Sequence, residues 1–128
     1  MRREARALTG AAVVFVLASQ AVFGEEKHNR SFSGFASYYD KNYRGRTARG
    51  DKYDPTKFTA AHRTLPFGTR LRVTGPNKRS VVVVINDRGP FIKSRVLDLS
   101  YAAATELRMI GHGLLRVTAQ VEETAAAQ

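Results

Sequence analysis

The sequence predicts a small, mainly β barrel, and three features carry that reading. Val81-Val82-Val83-Val84-Ile85 is a solid β-branched run, the pattern of a strand buried on both faces. Thr69 to Thr74 and Leu114 to Val121 alternate apolar and polar residues, as half-buried strands do. A single stretch, Tyr101 to Ile110, has both start and stop signals of a helix. Short strands, one short helix and long connections fit a barrel.

The elements follow in chain order. Residues 25–31 form a short polar tether, and Phe32 to Tyr39, mixing aromatic and small residues, reads as the first strand. Asp40 to Pro55 is rich in Gly, Arg, Lys and Tyr without a period, the texture of a long functional loop. Phe58 to Phe67 is expected to hold one helical turn, stopped by Pro66. Gly75-Pro76-Asn77-Lys78 turns the Thr69–Thr74 strand into the valine run, making a hairpin. Arg95 to Leu99 is a shorter strand. Ser100 then caps the helix, which Gly111 closes. The final strand ends at Val121, so the domain spans 32–121, and 122–128 is a flexible tail.

Arg2, Arg3 and Arg6 precede an apolar stretch from Ala7 to Phe23 that ends in small residues, the layout of a secretory signal peptide over 1–24. Cleavage after Ala21 or after Gly24 fits, with an uncleaved anchor as the alternative. The expected location is therefore outside the cytoplasm, in a bacterial periplasm or at the cell surface. Cysteine is absent, which excludes disulfides, a thiol nucleophile and thiolate metal ligands, and leaves no site for a lipid anchor. His28, His62 and His112 lack metal-ligand spacing and no phosphate-cradling glycine loop occurs, so no metal or cofactor is expected.

The formal charge is +10. Between Ser31 and Val121, 16 Lys and Arg face six carboxylates: Asp40, Asp51, Asp54, Asp87, Asp98 and Glu106. That field favours an anionic partner. The basic residues are scattered singly, which points away from nucleic acid and towards acidic glycan.

The valine run stops at Asn86-Asp87-Arg88-Gly89-Pro90-Phe91, so the stiffest strand ends by presenting one acid, Asp87. A scaffold holds a catalytic group in this way. An Asp that only organises the turn is the alternative.

At this point the residues resemble a known family. Gly34-Phe35-Ala36-Ser37-Tyr38-Tyr39, Thr47-Ala48, Tyr53-Asp54, Thr59-Ala60-Ala61-His62, Leu65-Pro66, Gly68-Thr69, Asn86 to Phe91 and Asp98-Leu99-Ser100 occur in the order seen in the rare lipoprotein A family. The resemblance implies a six-stranded double-psi β-barrel with one or two short helices. It also implies a lytic transglycosylase that cuts the MurNAc–GlcNAc β-1,4 bond of peptidoglycan and leaves 1,6-anhydro-MurNAc. The family's catalytic Asp falls on Asp87 and its active-site His on His62. The acid of its Gly-Glu-x-Tyr-Asp motif falls on Asp51, one methylene shorter than the usual Glu. Tyr38 stands where a Trp is usual, and the chain ends near the barrel, without the glycan-binding domain that many members carry.

The chemistry needs a proton for the leaving oxygen, and the MurNAc C6 hydroxyl serves as internal nucleophile. One acid, Asp87, can then do the work, provided that it stays protonated near neutral pH. Arg88 is expected to point away from it, since strand neighbours face opposite sides. His62 positions Asp87 or the substrate, unless it is a core histidine bonded to backbone. Asp51 stabilises charge developing on the sugar, or else pairs with Arg49 or Lys52. Tyr38, Tyr39 and Tyr53 are candidates for stacking on sugars, and Arg46, Arg63 and Arg88 for meeting lactyl or peptide carboxylates. The expected partner is the glycan strand, stripped of stem peptides or not, bound by a monomer. Two other functions stay open: an expansin-like glycan-binding module without cleavage, and a hydrolase using Asp51 as second carboxylate.

Overall fold

The structure, a computed structural model, describes residues 30–124. The expected signal peptide and nearly all of the tether lie outside them. Six strands make up the domain: β1 (Ser31–Tyr38), β2 (Thr59–Ala61), β3 (Arg70–Thr74), β4 (Ser80–Asp87), β5 (Arg95–Leu99) and β6 (Leu115–Glu123). One helix, α1 (Tyr101–Glu106), follows β5. The strands close into a barrel in the order β1-β5-β2-β4-β3-β6. β1 runs parallel to β5 and β2 parallel to β4, and the other four pairings are antiparallel. No described helix is long and apolar enough to cross a membrane.

Alternation along the strands builds the core. Leu71 and Val73 of β3, Val83 and Ile85 of β4, and Leu97 and Leu99 of β5 are fully buried, with Ala36, Val117 and Ala119 beside them. The valine run is not buried on both faces, as its composition predicts. Val82 and Val84 are only half-buried, because a closed barrel has one inside and the run's outer face is only partly covered. The hairpin forms as expected, with Lys78 in the left-handed region (φ 68°) and the Gly75 N–H donating to the Arg79 carbonyl at 2.9 Å.

Four further expectations need correction. Phe58 to Phe67 holds no helical turn; instead β2 forms there, a three-residue strand bonded to β4 on one side and β5 on the other. The helix stops at Glu106, because Arg108 turns left-handed (φ 58°) while Leu107 and Met109 insert into the core. Its start is as read, the Ser100 hydroxyl accepting from the Ala103 N–H. β6 runs on to Glu123, into the supposed tail, and the Arg72–Glu122 ion pair at 2.6 Å ties that extension to β3. Ser31, placed in the tether by its polarity, already pairs with Gln120 in β6.

Candidate active site

Strict alternation from Val81 through Val83 and Ile85 would carry Asp87 into the core. The β2–β4 register prevents it. Ala60 pairs with Ile85, but Ala61 pairs with Asp87, so Asn86 is an extra residue in the ladder. Such a bulge re-aims the residues after it. Asp87 therefore joins an outer row rather than the core row. Across the strands that outer row reads Ser37 (β1), Asp98 (β5), Ala61 (β2), Asp87 (β4). The core row beside it reads Tyr38, Leu99, Ala60, Ile85.

Three donors fix the Asp87 carboxylate. Oδ1 accepts from the backbone N–H groups of Ala48 and Arg88, each at 2.8 Å, and Oδ2 accepts from the Tyr39 hydroxyl at 2.5 Å. Tyr39 reaches it because Ser37 and Tyr39, two residues apart on extended chain, lean to the same side. The Tyr39 ring stacks on Tyr53 (4.9 Å between centroids) and meets Tyr43 at 5.3 Å. Burial first, then the hydrogen bond to Asp87 and the charges of Asp87 and Asp98, raise the Tyr39 pKa far above the usual phenol value. The hydroxyl is therefore a permanent donor to the acid. Burial raises Tyr53 as well, partly offset by the Tyr101 N–H that its hydroxyl accepts at 2.9 Å.

A raised phenol gives stability that is full below pH about 10, the unfolded value, and is lost as pH climbs beyond it. Tyr39→Phe is thus expected to flatten the alkaline fall in stability, read as denaturant midpoint against pH.

The remaining sequence candidates fall in different places. His62 extends the β2 ladder, its N–H donating to the Asp87 carbonyl at 3.2 Å. Its Nδ1 accepts from the N–H groups of Thr64 and Leu65 at 3.1 and 3.0 Å, which assigns the proton of a neutral ring to Nε2. The ring also packs against Phe32. Asp51 lies on the loop that brings Ala48 to Asp87. Its side chain is 64% exposed and sits 3.9 Å from Arg49. Arg46 braces that loop from the far side through the Gly50 carbonyl.

Arg88 does point away from Asp87. It donates to the carbonyls of His62 and Leu65 and lies 4.0 Å over the Phe67 ring. Arg63 donates to the carbonyls of Ile92 and Arg95. Both guanidiniums hold loops around the acid. Tyr38 belongs to the core row, and its hydroxyl accepts from the Gly111 N–H at 3.0 Å. Tyr53 is buried behind Tyr39 and Tyr43, and on its other side opens a cavity of about 400 Å³ lined by Lys41, Arg44 and Lys52.

Sequence reasoning missed three features. Tyr39 acts on Asp87 itself, a contact across 48 residues that no local pattern reveals. Asp98, to which sequence reasoning gives no role at the site, sits in the outer row and accepts a hydrogen bond from the Ser37 hydroxyl. Phe91 is 81% exposed just beyond Gly89-Pro90, an unusual position for so large an apolar ring.

Residues 31–119 match the profile of a protein family described as lytic transglycolase. The chain belongs to this family. Curated relatives are also close in sequence. A Nostoc protein named probable endolytic peptidoglycan transglycosylase RlpA is 56% identical over 95 residues, covering 71% of this chain and 26% of its own. The endolytic peptidoglycan transglycosylase RlpA of Pasteurella multocida is 49% identical over 90 residues, covering 69% and 31%. The chain thus spans about a quarter to a third of the length of these lytic transglycolase relatives. Among solved structures, the Streptomyces papain inhibitor superposes with a TM-score of 0.62 at 23% identity, over 75% of this chain and 97% of that one. That likeness concerns fold alone, and the fold is the double-psi β-barrel.

Proposed function

We propose that this chain is an exported endolytic lytic transglycosylase of peptidoglycan, cleaving the MurNAc–GlcNAc β-1,4 bond and forming 1,6-anhydro-MurNAc. One observation carries the reading: the barrel ends its central strand on an acid, Asp87, aimed out of the core by a bulge and fixed by three donors. A carboxyl so fixed exchanges a proton with the reacting oxygens at low reorganisation cost. Capture of the sugar by its own C6 hydroxyl then outpaces water through effective molarity.

Tyr39 sets the direction of the Asp87 carboxyl, and His62 and Arg88 keep the chain beneath it in place. Tyr43 and Phe91 offer ring faces to the sugars, with Tyr38 and Tyr53 packed behind as support. Lys41, Arg44 and Lys52 around the adjoining cavity match the lactyl or peptide carboxylates of MurNAc, with Arg46 and Asp51 on the loop beside it. The test is mass spectrometry of soluble products from intact and amidase-stripped sacculi. Anhydro-MurNAc ends are expected. Glycan that co-sediments with the protein but stays uncut overturns the enzyme in favour of a binding module.

A further inference from the structure

The cavity beside Tyr53 is walled by cations. Lys41, Arg44 and Lys52 line its volume of about 400 Å³, together with Tyr53, Asp54 and Pro55. They come from both ends of the loop over 40–55, and two local devices bring them to one place. Lys52 lies opposite Arg46 in an isolated antiparallel bridge, and the Tyr53 N–H donates to the Gly45 carbonyl at 3.0 Å, so the chain doubles back on itself. Asp40 folds the first half: its Oδ1 accepts from the Asn42 N–H at 2.8 Å and its carbonyl from the Tyr43 N–H at 3.0 Å. The Arg44 guanidinium then donates to the Lys41 and Tyr43 carbonyls, which fixes its place in the wall.

Little of this charge is neutralised from within. The ion pairs made among the described residues, Arg49 with Asp51 and Arg72 with Glu122, involve none of the three cations. Asp54 is the one carboxylate in the lining. The Thr56 hydroxyl and N–H donate to its Oδ1 at 2.7 and 2.9 Å and hold its pKa below the usual carboxylate value. Three cations against one carboxylate favour a ligand with more than one negative charge. Position narrows the choice of anion. Tyr39 bonds Asp87, Tyr53 stacks on Tyr39 with 4.9 Å between centroids, and the cavity is lined by Tyr53 but by neither Tyr39 nor Asp87. It therefore begins at the second ring from the acid.

We propose that this cavity is a subsite for the acidic peptide borne by the glycan, and that it makes the chain favour peptide-bearing strands over stripped ones. This rests on the transglycosylase reading above, and it chooses between the two carboxylates named there. The lactyl carboxylate is a single charge attached close to its sugar ring. A peptide extending from that lactyl group advances roughly 3.3–3.6 Å per residue, so two or three residues carry it past the stacked rings. An acidic peptide also brings several carboxylates, at its end and on its side chains, to meet Lys41, Arg44 and Lys52. The sugar at Asp87 and the peptide in the cavity are thus held on the two sides of one tyrosine stack.

The test is calorimetric titration of the full chain with soluble, uncrosslinked glycan strands, either peptide-bearing or amidase-stripped. Each stripped MurNAc keeps its lactyl carboxylate, so both probes are anionic. The wild type should bind the peptide-bearing strand at least about fivefold tighter at low salt, an advantage that shrinks as salt is added. Lys41→Gln/Lys52→Gln should cut that advantage to less than about twofold. Both side chains are exposed, so the melting temperature should stay at the wild-type value. Arg70→Gln/Lys78→Gln removes two exposed cations from β3 and its turn, and should keep the full advantage. Equal affinity of the wild type for the two strands overturns the subsite. So does a Lys41→Gln/Lys52→Gln variant that keeps the wild-type ratio, or a control pair that loses it to the same extent. A wild type that shows the preference but releases no anhydro ends from either strand overturns the transglycosylase reading and leaves the peptide subsite standing.

Discussion

Asp87→Asn is expected to abolish release of anhydro-MurNAc products, by about 10³-fold or more, while the barrel stays folded. The amide is the same size and keeps a carbonyl oxygen for the Ala48 and Arg88 N–H groups, while its NH2 takes the place of Oδ2 and donates to the Tyr39 oxygen instead of accepting from it. It has no acidic proton to give. Glycan binding should survive, since the rings and cations around the site are untouched. Circular dichroism and sacculus co-sedimentation, run beside the product assay, separate the two effects. A variant that keeps cutting at more than a tenth of the wild-type rate would remove Asp87 from the mechanism.

Ile85→Ala should act on the fold. Ile85 is fully buried in the core row, two residues before the acid, and pairs with Ala60. Removing its branched side chain leaves a cavity between β2, β4 and the helix, at a cost of about 2–5 kcal/mol. For a domain of this size that lowers the melting temperature by roughly 10–30 °C. Urea titration should show a lower midpoint with an unchanged slope, the signature of lost stability without a change in surface exposed. Below the new midpoint, cleavage should track the folded fraction. Loss of activity in a fully folded sample would mean that Ile85 also sets the acid's position.

Local signals in the sequence report what local physics decides. β5, the β3–β4 hairpin and the Ser100 cap lie where the residues place them, because turn residues, caps and alternation act over a few positions. β2 is invisible for the opposite reason. Thr59-Ala60-Ala61 has little preference for a strand and exists because β4 and β5 both bond to it. The helix ends early because burial of Leu107 and Met109 outweighs the stop signal at Gly111. Asp87 is legible at its strand end, and Arg88 turns away as alternation suggests. The partners of Asp87 are not, since Tyr39, Ala48 and Asp98 come from distant segments joined by barrel closure. The hydrolase idea shows the same gap: sequence order suggests Asp51 as second acid, whereas strand pairing puts Asp98 beside Ala61.

The ladder of Ser37, Asp98, Ala61 and Asp87 also bears on how such a protein fails. Its members are joined by main-chain bonds between four neighbouring strands of a barrel with no free edge. Local fraying cannot separate the two acids, because parting any pair of strands opens the closed sheet. The strand positions behind the proposed acid are therefore expected among the slowest-exchanging, globally protected part of the molecule, with heat inactivation coinciding with complete unfolding. The loop carrying Ala48 and Asp51 lies outside that sheet and is tied to β4 through the Ala48 N–H on Asp87 and the Arg49 N–H on the Asn86 carbonyl. The proposed acid thus takes its position from the closed sheet and one of its donors from a loop outside it.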